Sequence, residues 1–303
     1  MTAPRSLLVG AGGQVGAQML RLLGPGRALP TSRTPPGAGW LSIDLASLSD
    51  VAQTAALLDA HPLDAIYCIA GMTNVEACED QAELAHDTNA RGPANLALYA
   101  RRLSLPFVYV STEYIFDGRS GPYVETDAPN PISVYGQSKL AGEIAVLNAH
   151  PEALILRTTV VYGPDQREKN YIYSLLSSIA AGRTINVSED QISTPTYNQD
   201  LVRTAVGLVK AGAHGFFHVC GPQLLSRLNF ARSVLRLMEI DDRLLRPVLT
   251  AQLGQRAARP LLAGLEIGKL KRLYPALRMR SVTDALEECE AELRTFYERA
   301  ATS

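Results

Sequence analysis

Short apolar runs alternate along the chain with longer segments in which hydrophobic residues recur every three or four positions. The apolar runs are RSLLVGA, GWLSIDL, LDAIYCIAG, LPFVYVST and ALILRTTVVYG, and each is typical of a strand. The longer segments, which predict helices, are QVGAQMLRLLG, SLSDVAQTAALLDA, QAELAHDTNARGPANLALYARRL and SVYGQSKLAGEIAVLNA. Because the strands are continuously apolar, we expect them to be covered on both faces. The pattern predicts an α/β fold with a doubly wound parallel sheet.

The rhythm of strands and helices changes after Gly163. NQDLVRTAVGLVKAG and GFFHVCG still predict one more helix and strand of the sheet, but helices and loops mix on either side of them. The sequence therefore predicts two domains that interleave along the chain. A sheet domain would comprise residues 1–164 and 197–222, and a smaller α/β substrate-binding lobe would comprise residues 165–196 and 223–303.

The composition narrows the class of ligand. With 303 residues, 47% of them hydrophobic, the chain is long enough to bury a large core. Its formal net charge of −1 gives no general attraction to nucleic acid or to an anionic membrane. The sequence contains no run of eighteen apolar residues, so we expect no membrane span. A small-molecule ligand fits this composition best.

The cysteines and histidines predict neither a metal site nor a disulfide. Four cysteines are scattered without a CxxC pair, which favours a reduced, cytoplasmic protein. His214 and His218 are four residues apart but fall in a predicted strand, where that spacing separates them by about 13 Å.

A glycine-rich motif, GAGGQVG, follows the first predicted strand and opens the first predicted helix at Gln14 and Val15. Gly10, Gly13 and Gly16 would let the backbone approach a pyrophosphate, and the helix start would offer free N–H groups to it. An ordinary glycine-rich turn is the alternative. The strand, turn and helix order favours a dinucleotide site and a Rossmann-type fold.

The end of the second strand, RALPTSR, bears on the choice of dinucleotide. Ser32 and Arg33 stand where an acidic residue would bind the 2′-hydroxyl of the adenosine ribose in NAD. A guanidinium suits a 2′-phosphate, so NADP(H) is predicted over NAD(H), unless Arg33 is simply solvated in its loop. Asp44, followed by Leu45, is a candidate for the adenine amine.

The middle of the cofactor is expected to lie against the end of the LDAIYCIAG strand. We expect Ala70, Gly71 and Met72 to face it, and Asn89 to approach from the neighbouring helix unless it caps that helix or faces solvent. Val160 completes the predicted cofactor set.

The fourth strand ends in Ser111 and Thr112, where doubly wound folds bind their ligands. Tyr135 and Lys139 follow on one face of a helix start, since four residues make about one turn. A phenol has an ordinary pKa of about 10 and needs a nearby cation to exchange protons near neutrality. The alternative is a surface tyrosine beside a solvated lysine, a spacing that chance can supply.

Together these motifs resemble the extended short-chain dehydrogenase/reductase family. STEYIFDG, GPYVETDAPNPISVYGQSKLAGE, LRTTVVYG, DQISTPTYNQDL and RPLLAGLEIGKL are most similar to dTDP-4-dehydrorhamnose reductases, which reduce a nucleotide-linked 4-keto-6-deoxy sugar. The resemblance implies that Tyr135 donates the proton, that Lys139 lowers the pKa of Tyr135 and holds the ribose, and that Thr112 orients the carbonyl. It also implies a homodimer formed through the helices at 80–103 and 133–149.

The same resemblance implies a set of residues lining the sugar-nucleotide pocket. For its aromatic members, a role in packing is the alternative. Arg259 is the best phosphate ligand among them by chemistry. The set is Thr73, Tyr114, Phe116, Asn170, Tyr171, Thr194, Pro195 and Arg259.

Departures from the family pattern keep other functions open. Glu113 replaces the aspartate that commonly follows the threonine, and Tyr114 replaces the second carboxylate of the related dehydratases, which disfavours dehydration. Sugar-nucleotide 4-epimerases share the Thr, Tyr and Lys set but generally hold NAD, against which Arg33 argues. A non-catalytic protein similar to the regulatory β subunit of methionine adenosyltransferase is a further alternative. Glu143 is interpreted as a helix-surface residue.

Overall fold

The computed structural model describes residues 5–302. Thirteen strands lie in this part of the chain. Their bounds are β1 Arg5–Val9, β2 Ala28–Ser32, β3 Leu41–Ser42, β4 Leu63–Cys68, β5 Phe107–Thr112, β6 Leu154–Thr158, β7 Val161–Tyr162, β8 Ile185–Ser188, β9 Ile192–Ser193, β10 Thr196–Tyr197, β11 Gly215–His218, β12 Leu225–Ser226 and β13 Leu245–Val248.

Eleven α-helices connect and cover these strands in the same range. A π-helical turn, Asp87–Arg91, joins the fourth helix to the fifth. The bounds are α1 Gln14–Leu23, α2 Val51–Leu58, α3 Val75–Asp80, α4 Ala82–His86, α5 Gly92–Arg102, α6 Val134–Ala149, α7 Tyr171–Ala180, α8 Asn198–Lys210, α9 Arg227–Leu237, α10 Gly268–Leu273 and α11 Val282–Ala301.

Seven strands form one parallel sheet in the order β11-β6-β5-β4-β1-β2-β3. The chain runs from β1 outward to β3, returns to β4 beside β1, and then continues in the opposite direction. This reversal opens a crevice at the carboxyl ends of β1 and β4, the usual ligand position in such sheets. The predicted doubly wound Rossmann-type fold is therefore confirmed. GWLSIDL contributes just the two-residue edge strand β3.

Successive side chains of the central strands pack into two separate cores. Leu7 and Ile155 lie in the cluster on one face of the sheet, and Leu8 and Leu156 lie in the cluster on the other. Side chains alternate across a strand, so continuous apolar runs supply both faces at once.

A third hydrophobic cluster is built by α7, α9 and α11, with the parallel pair of β8 and β13 beside them. The prediction from sequence placed Leu265, Ile267 and Leu270 in the smaller lobe. These three residues pack instead with the cluster on the Leu8 face of the sheet. The remaining division into a sheet domain and a lobe stays a prediction.

Glu143 is not a surface residue, contrary to the interpretation from sequence. It is 1% exposed, and both its oxygens accept hydrogen bonds from Arg157, at 3.0 Å from Nε and 2.8 Å from Nη2. The guanidinium also lies 4.3 Å from the centre of the Phe216 ring. Position 143 faces inward because α6 packs against β5, and Arg157 on the neighbouring strand β6 is its partner.

In the described part of the chain, none of the helices is both long enough and apolar enough to cross a membrane. Across the same residues, no three His, Cys, Asp or Glu side chains converge to hold a metal ion.

Candidate active site

A cavity of about 810 Å³ opens at the carboxyl ends of β1, β4 and β5. Its wall brings together the glycine loop, the start of α6 and the residues that follow β6. Residues far apart in the sequence, Gly13, Thr112 and Tyr135 among them, therefore line one space.

The glycine loop has the close backbone approach that a dinucleotide motif requires. Gly10 has φ +95°, and a Cβ there would lie 2.8 Å from the backbone nitrogen of Ala70. A Cβ on Gly16 would overlap the carbonyl oxygen of Gly10, so α1 can pack this tightly onto the loop only with glycine at that position. Gly10 and Gly13 line the cavity with Gln14 and Val15, whereas Gly16 supports the loop from behind.

The predicted adenosine end lies at the rim of the cavity. Ser32, Arg33, Asp44 and Leu45 all line it. The Asp44 carboxylate already accepts a hydrogen bond of 3.2 Å from the backbone N–H of Ala46. Arg33 and Asp44 are exposed, which leaves both side chains accessible to a bound nucleotide.

The middle of the cavity is bordered by Ala70, Gly71, Met72 and Val160. Asn89 fixes this segment from behind: its Oδ1 accepts from the Met72 N–H at 2.8 Å, and its Nδ2 donates to the Met72 carbonyl at 3.0 Å. Asn89 is fully buried, so it neither caps a helix nor faces solvent, and it lies outside the cavity wall. It shapes the surface that a cofactor would meet.

The three predicted catalytic side chains, Thr112, Tyr135 and Lys139, all line the cavity. Ser133 caps α6 through a hydrogen bond to the N–H of Gly136, so Tyr135 and Lys139 lie in the first turns of that helix. Tyr135 and Thr112 both line this part of the cavity wall, and the Thr112 hydroxyl affects the pKa of Tyr135. The Tyr135 and Lys139 side chains are both buried, so the alternative of a surface tyrosine beside a solvated lysine is wrong.

Lys139 is 4% exposed, and its Nζ donates to the Val110 carbonyl at 2.7 Å while lying 3.9 Å above the Tyr109 ring. Burial lowers the pKa of Lys139 to about 8. The ammonium is therefore held in place and exchanges its proton close to neutral pH.

Burial raises the pKa of Tyr135, and the neighbouring Glu113 carboxyl raises it further, while the nearby Thr112 hydroxyl lowers it. In this arrangement the phenol keeps its proton throughout the neutral range. Contrary to the expectation from the family resemblance, the pKa of Tyr135 lies above its ordinary value, because burial and the Glu113 carboxyl outweigh any lowering by a nearby cation.

Of the predicted substrate residues, Thr73 and Tyr114 line the cavity, and the Tyr114 ring meets that of Tyr135 edge to face at 5.3 Å. Phe116 does not: it is fully buried and stacks on Tyr123 at 4.2 Å, so its role in this structure is packing. The other residues also lie outside the cavity wall and are Asn170, Tyr171, Thr194, Pro195 and Arg259.

Contacts within the protein occupy several of these outlying side chains. Asn170 caps α7 and donates to Gln14 at 3.2 Å, and the Thr194 hydroxyl accepts from the N–H of Leu265. Arg259 donates to Glu76 at 2.8 Å, and its Nη1 is buried without a hydrogen-bond partner. Arg259 therefore retains one donor group for a ligand.

Nearly the whole sequence matches one described protein family. Residues 5–295 match the family described as the RmlD substrate binding domain. The chain belongs to the RmlD family. This membership covers nearly all of the described residues and confirms the resemblance inferred from the motifs.

Several similar proteins carry the names of sugar-nucleotide reductases. The chain is 33% identical over 262 residues to a dTDP-4-dehydrorhamnose reductase of Mycobacterium tuberculosis, covering 84% of this chain and 82% of that protein. It is 33% identical over 258 residues to a dTDP-4-keto-6-deoxy-D-glucose reductase of Streptomyces niveus, covering 84% and 86%. The crystal structure of a dTDP-4-dehydrorhamnose reductase from Bacillus anthracis in complex with NADP has a TM-score of 0.83 at 29% identity, covering 95% and 99%.

Sequence reasoning, including the family resemblance, missed several polar residues of the cavity wall. These include Arg167, Arg227 and Thr159, together with Gln81, Thr88 and Thr158. The Nη2 of Arg167 lies 3.8 Å from the position that a Cβ on Gly13 would occupy, so a loop guanidinium faces the glycine loop. No motif marks Arg167, and its position depends on how the loop after β7 folds back.

Proposed function

We propose that the protein is an NADPH-dependent reductase of a nucleotide-linked 4-keto-6-deoxy sugar. One observation carries the proposal: a single cavity holds a dinucleotide-type glycine loop at one end and Thr112, Tyr135 and Lys139 at the other. The names of the RmlD family relatives support the substrate class, and the NADP complex of the Bacillus anthracis structure supports the cofactor.

NADPH, when bound, supplies the hydride that no side chain can supply. The glycine loop and the start of α1 would hold its pyrophosphate, and Lys139 would hold its ribose. Tyr135 would donate its proton to the carbonyl oxygen of the sugar as negative charge develops there, and Thr112 would orient that oxygen. The buried walls around Tyr135 keep bulk water away from this proton.

Other functions of the fold receive less support. A dehydratase would need a second carboxylate at position 114, where Tyr114 lies against Tyr135 instead. A purely regulatory protein has no chemical need for a buried phenol and a buried ammonium beside a dinucleotide loop. The relatives described above also carry reductase names.

Turnover provides the direct test of the proposal. Purified protein and NADPH are mixed with a panel of nucleotide-linked 4-keto-6-deoxy sugars, and the loss of nicotinamide absorbance is followed. We expect oxidation of NADPH with at least one sugar and formation of the 4-hydroxy product. If none of the sugars is reduced, and Tyr135→Phe alters no measurable property, the reductase proposal is rejected.

Arg33→Ala should weaken binding of NADPH more than binding of NADH. Loss of a charge-assisted hydrogen bond to the 2′-phosphate is worth about 1.5 to 3 kcal/mol, or roughly 10- to 100-fold in Kd. Fluorescence titration with both cofactors measures the difference. Arg27→Ala, which removes an exposed arginine outside the cavity wall, is the control. An equal loss of affinity for NADPH and NADH would mean that Arg33 does not bind the 2′-phosphate.

Arg167→Ala should weaken both cofactors alike, because its guanidinium faces the glycine loop that would hold the shared pyrophosphate. We expect about a tenfold rise in Kd for NADPH and for NADH, equivalent to about 1.4 kcal/mol. Lys169→Ala removes an exposed cation from the same loop outside the cavity wall and should change neither value. If the variant loses affinity for NADPH alone, Arg167 contacts the 2′-phosphate instead.

The oligomeric state and compartment also remain proposals. A homodimer through α4, α5 and α6 would cover Leu84 and Ile144, which are 39% and 55% exposed. Four free, buried cysteines suit the reducing cytoplasm proposed for the protein.

A further inference from the structure

Glu113 is a buried carboxyl group at the edge of the cavity. It directly follows β5 and is 5% exposed. Its Oε2 lies 2.8 Å from the Thr112 hydroxyl, and its Oε1 lies 2.8 Å from the Thr159 hydroxyl. Among residues 5–302, no guanidinium or ammonium group forms an ion pair with it. Two hydroxyls therefore hold the carboxyl group in one orientation.

Several charged or titratable groups surround this carboxyl group. The Arg227 guanidinium on α9 favours the ionised form of Glu113. The negative charge of that form raises the pKa of the Tyr114 and Tyr135 phenols and of the Cys220 thiol. The Thr112 and Thr159 hydroxyls also favour the ionised form. Burial outweighs these contributions and raises the pKa of Glu113. The neutral carboxylic acid is thus available at higher pH than for an exposed glutamate.

The protonation state of Glu113 decides where the Thr112 hydroxyl points. The Thr112 oxygen already accepts a hydrogen bond of 3.2 Å from the N–H of Tyr114. When Glu113 is ionised, Thr112 donates its proton to the carboxylate, and its free lone pair can accept the proton of Tyr135. A sugar carbonyl oxygen would then meet no donor on Thr112.

The neutral acid reverses this arrangement. An O–H on Oε2 of Glu113 can donate to Thr112, whose oxygen then accepts two hydrogen bonds and has no further lone pair to offer. The Thr112 proton must point elsewhere, and the cavity is the remaining direction. Thr159 can still donate to the carbonyl oxygen of the acid.

We propose that Glu113 is a positioning residue that acts in its neutral form, turning the Thr112 hydroxyl into a donor for the substrate carbonyl and leaving Tyr135 free to protonate it. This inference rests on the proposed reductase function. The neutral form also avoids a carboxylate charge beside the developing alkoxide, where like charges would repel.

The test compares the pH dependence of kcat in the wild type and in Glu113→Gln with NADPH and a sugar that the wild type reduces. The neutral form of Glu113 predominates below its pKa, so wild-type kcat should fall by about tenfold per pH unit above it. A glutamine can donate to Thr112 but cannot ionise. Glu113→Gln should therefore keep kcat within about threefold of the wild-type plateau. The decrease in kcat that follows ionisation of Glu113 should be absent in this variant, and the decrease that follows deprotonation of Lys139 should remain.

Thr159→Val provides a second, directional variant. It removes a hydroxyl that stabilises the ionised form of Glu113, so the fall in kcat should move to higher pH. KM should change less than kcat in both variants, because the Thr112 hydrogen bond strengthens as the alkoxide forms. A structural role for Glu113 alone would move neither pH profile.

The outcomes separate this inference from the proposed function. Identical pH profiles for an active wild type and Glu113→Gln would overturn the inference and leave the reductase function standing. Unfolding of Glu113→Gln leaves Thr159→Val as the deciding variant, and an unshifted profile there would overturn the inference too. A wild type that reduces none of the sugars overturns the proposed function, and with it this role of Glu113.

Discussion

Tyr135→Phe is expected to lower kcat by about 100- to 10,000-fold, the usual contribution of a positioned proton donor. The change removes one hydroxyl from a buried ring and leaves its edge-to-face contact with Tyr114 in place. The carbonyl oxygen would then gain negative charge with no acid beside it. Steady-state oxidation of NADPH, with the product identified by mass spectrometry, measures the loss.

The control for Tyr135→Phe is binding. Kd for NADPH should stay within about threefold of the wild-type value, since the lost hydroxyl acts on the transition state. Near-normal kcat in a variant that still binds NADPH would show that another group supplies the proton.

Glu143→Ala is expected to destabilise the fold by about 3 to 5 kcal/mol. Its partner Arg157 is 3% exposed, so the variant would leave a buried guanidinium without its carboxylate. Equilibrium unfolding in urea, monitored by circular dichroism, measures the change in free energy.

An exposed ion pair and a double variant serve as controls for Glu143→Ala. Arg232 and Asp242 are 43% and 50% exposed, and Arg232→Ala should cost less than about 1 kcal/mol. Replacing both Glu143 and Arg157 with Met should recover much of the stability, because apolar side chains can replace a buried pair. Equal effects of the buried and exposed variants would contradict a structural role for the Glu143 pair.

Local patterns were sufficient to predict the sheet, the glycine loop and the group of Thr112, Tyr135 and Lys139. The strands are continuous apolar runs, and each chemical motif lies at a strand end or a helix start whose position the topology determines. The carboxyl ends of parallel strands meet at one edge, which is why residues on β1, β5 and α6 could be assigned to one cavity.

Contacts between distant segments could not be predicted in the same way. Spacing along α6 placed Glu143 on a helix face but did not show that Arg157 on β6 would meet it. Arg167 and Arg259 belong to loops, whose path depends on packing rather than on periodicity. Phe116 follows a strand end as a substrate residue would, yet its ring turns into the core against Tyr123.

The π-helical turn at Asp87–Arg91 places strict demands on chain length. It carries Asn89, whose amide holds Met72 on one side and the Ser138 hydroxyl of α6 on the other. Removing or adding one residue there would rotate everything on one side of the turn by about 100° relative to the other. Either the amide would lose its hydrogen bonds to Met72 behind the cavity wall, or α5 would turn its apolar face away from the sheet. This helix should therefore tolerate substitutions on its solvent face far better than any insertion or deletion.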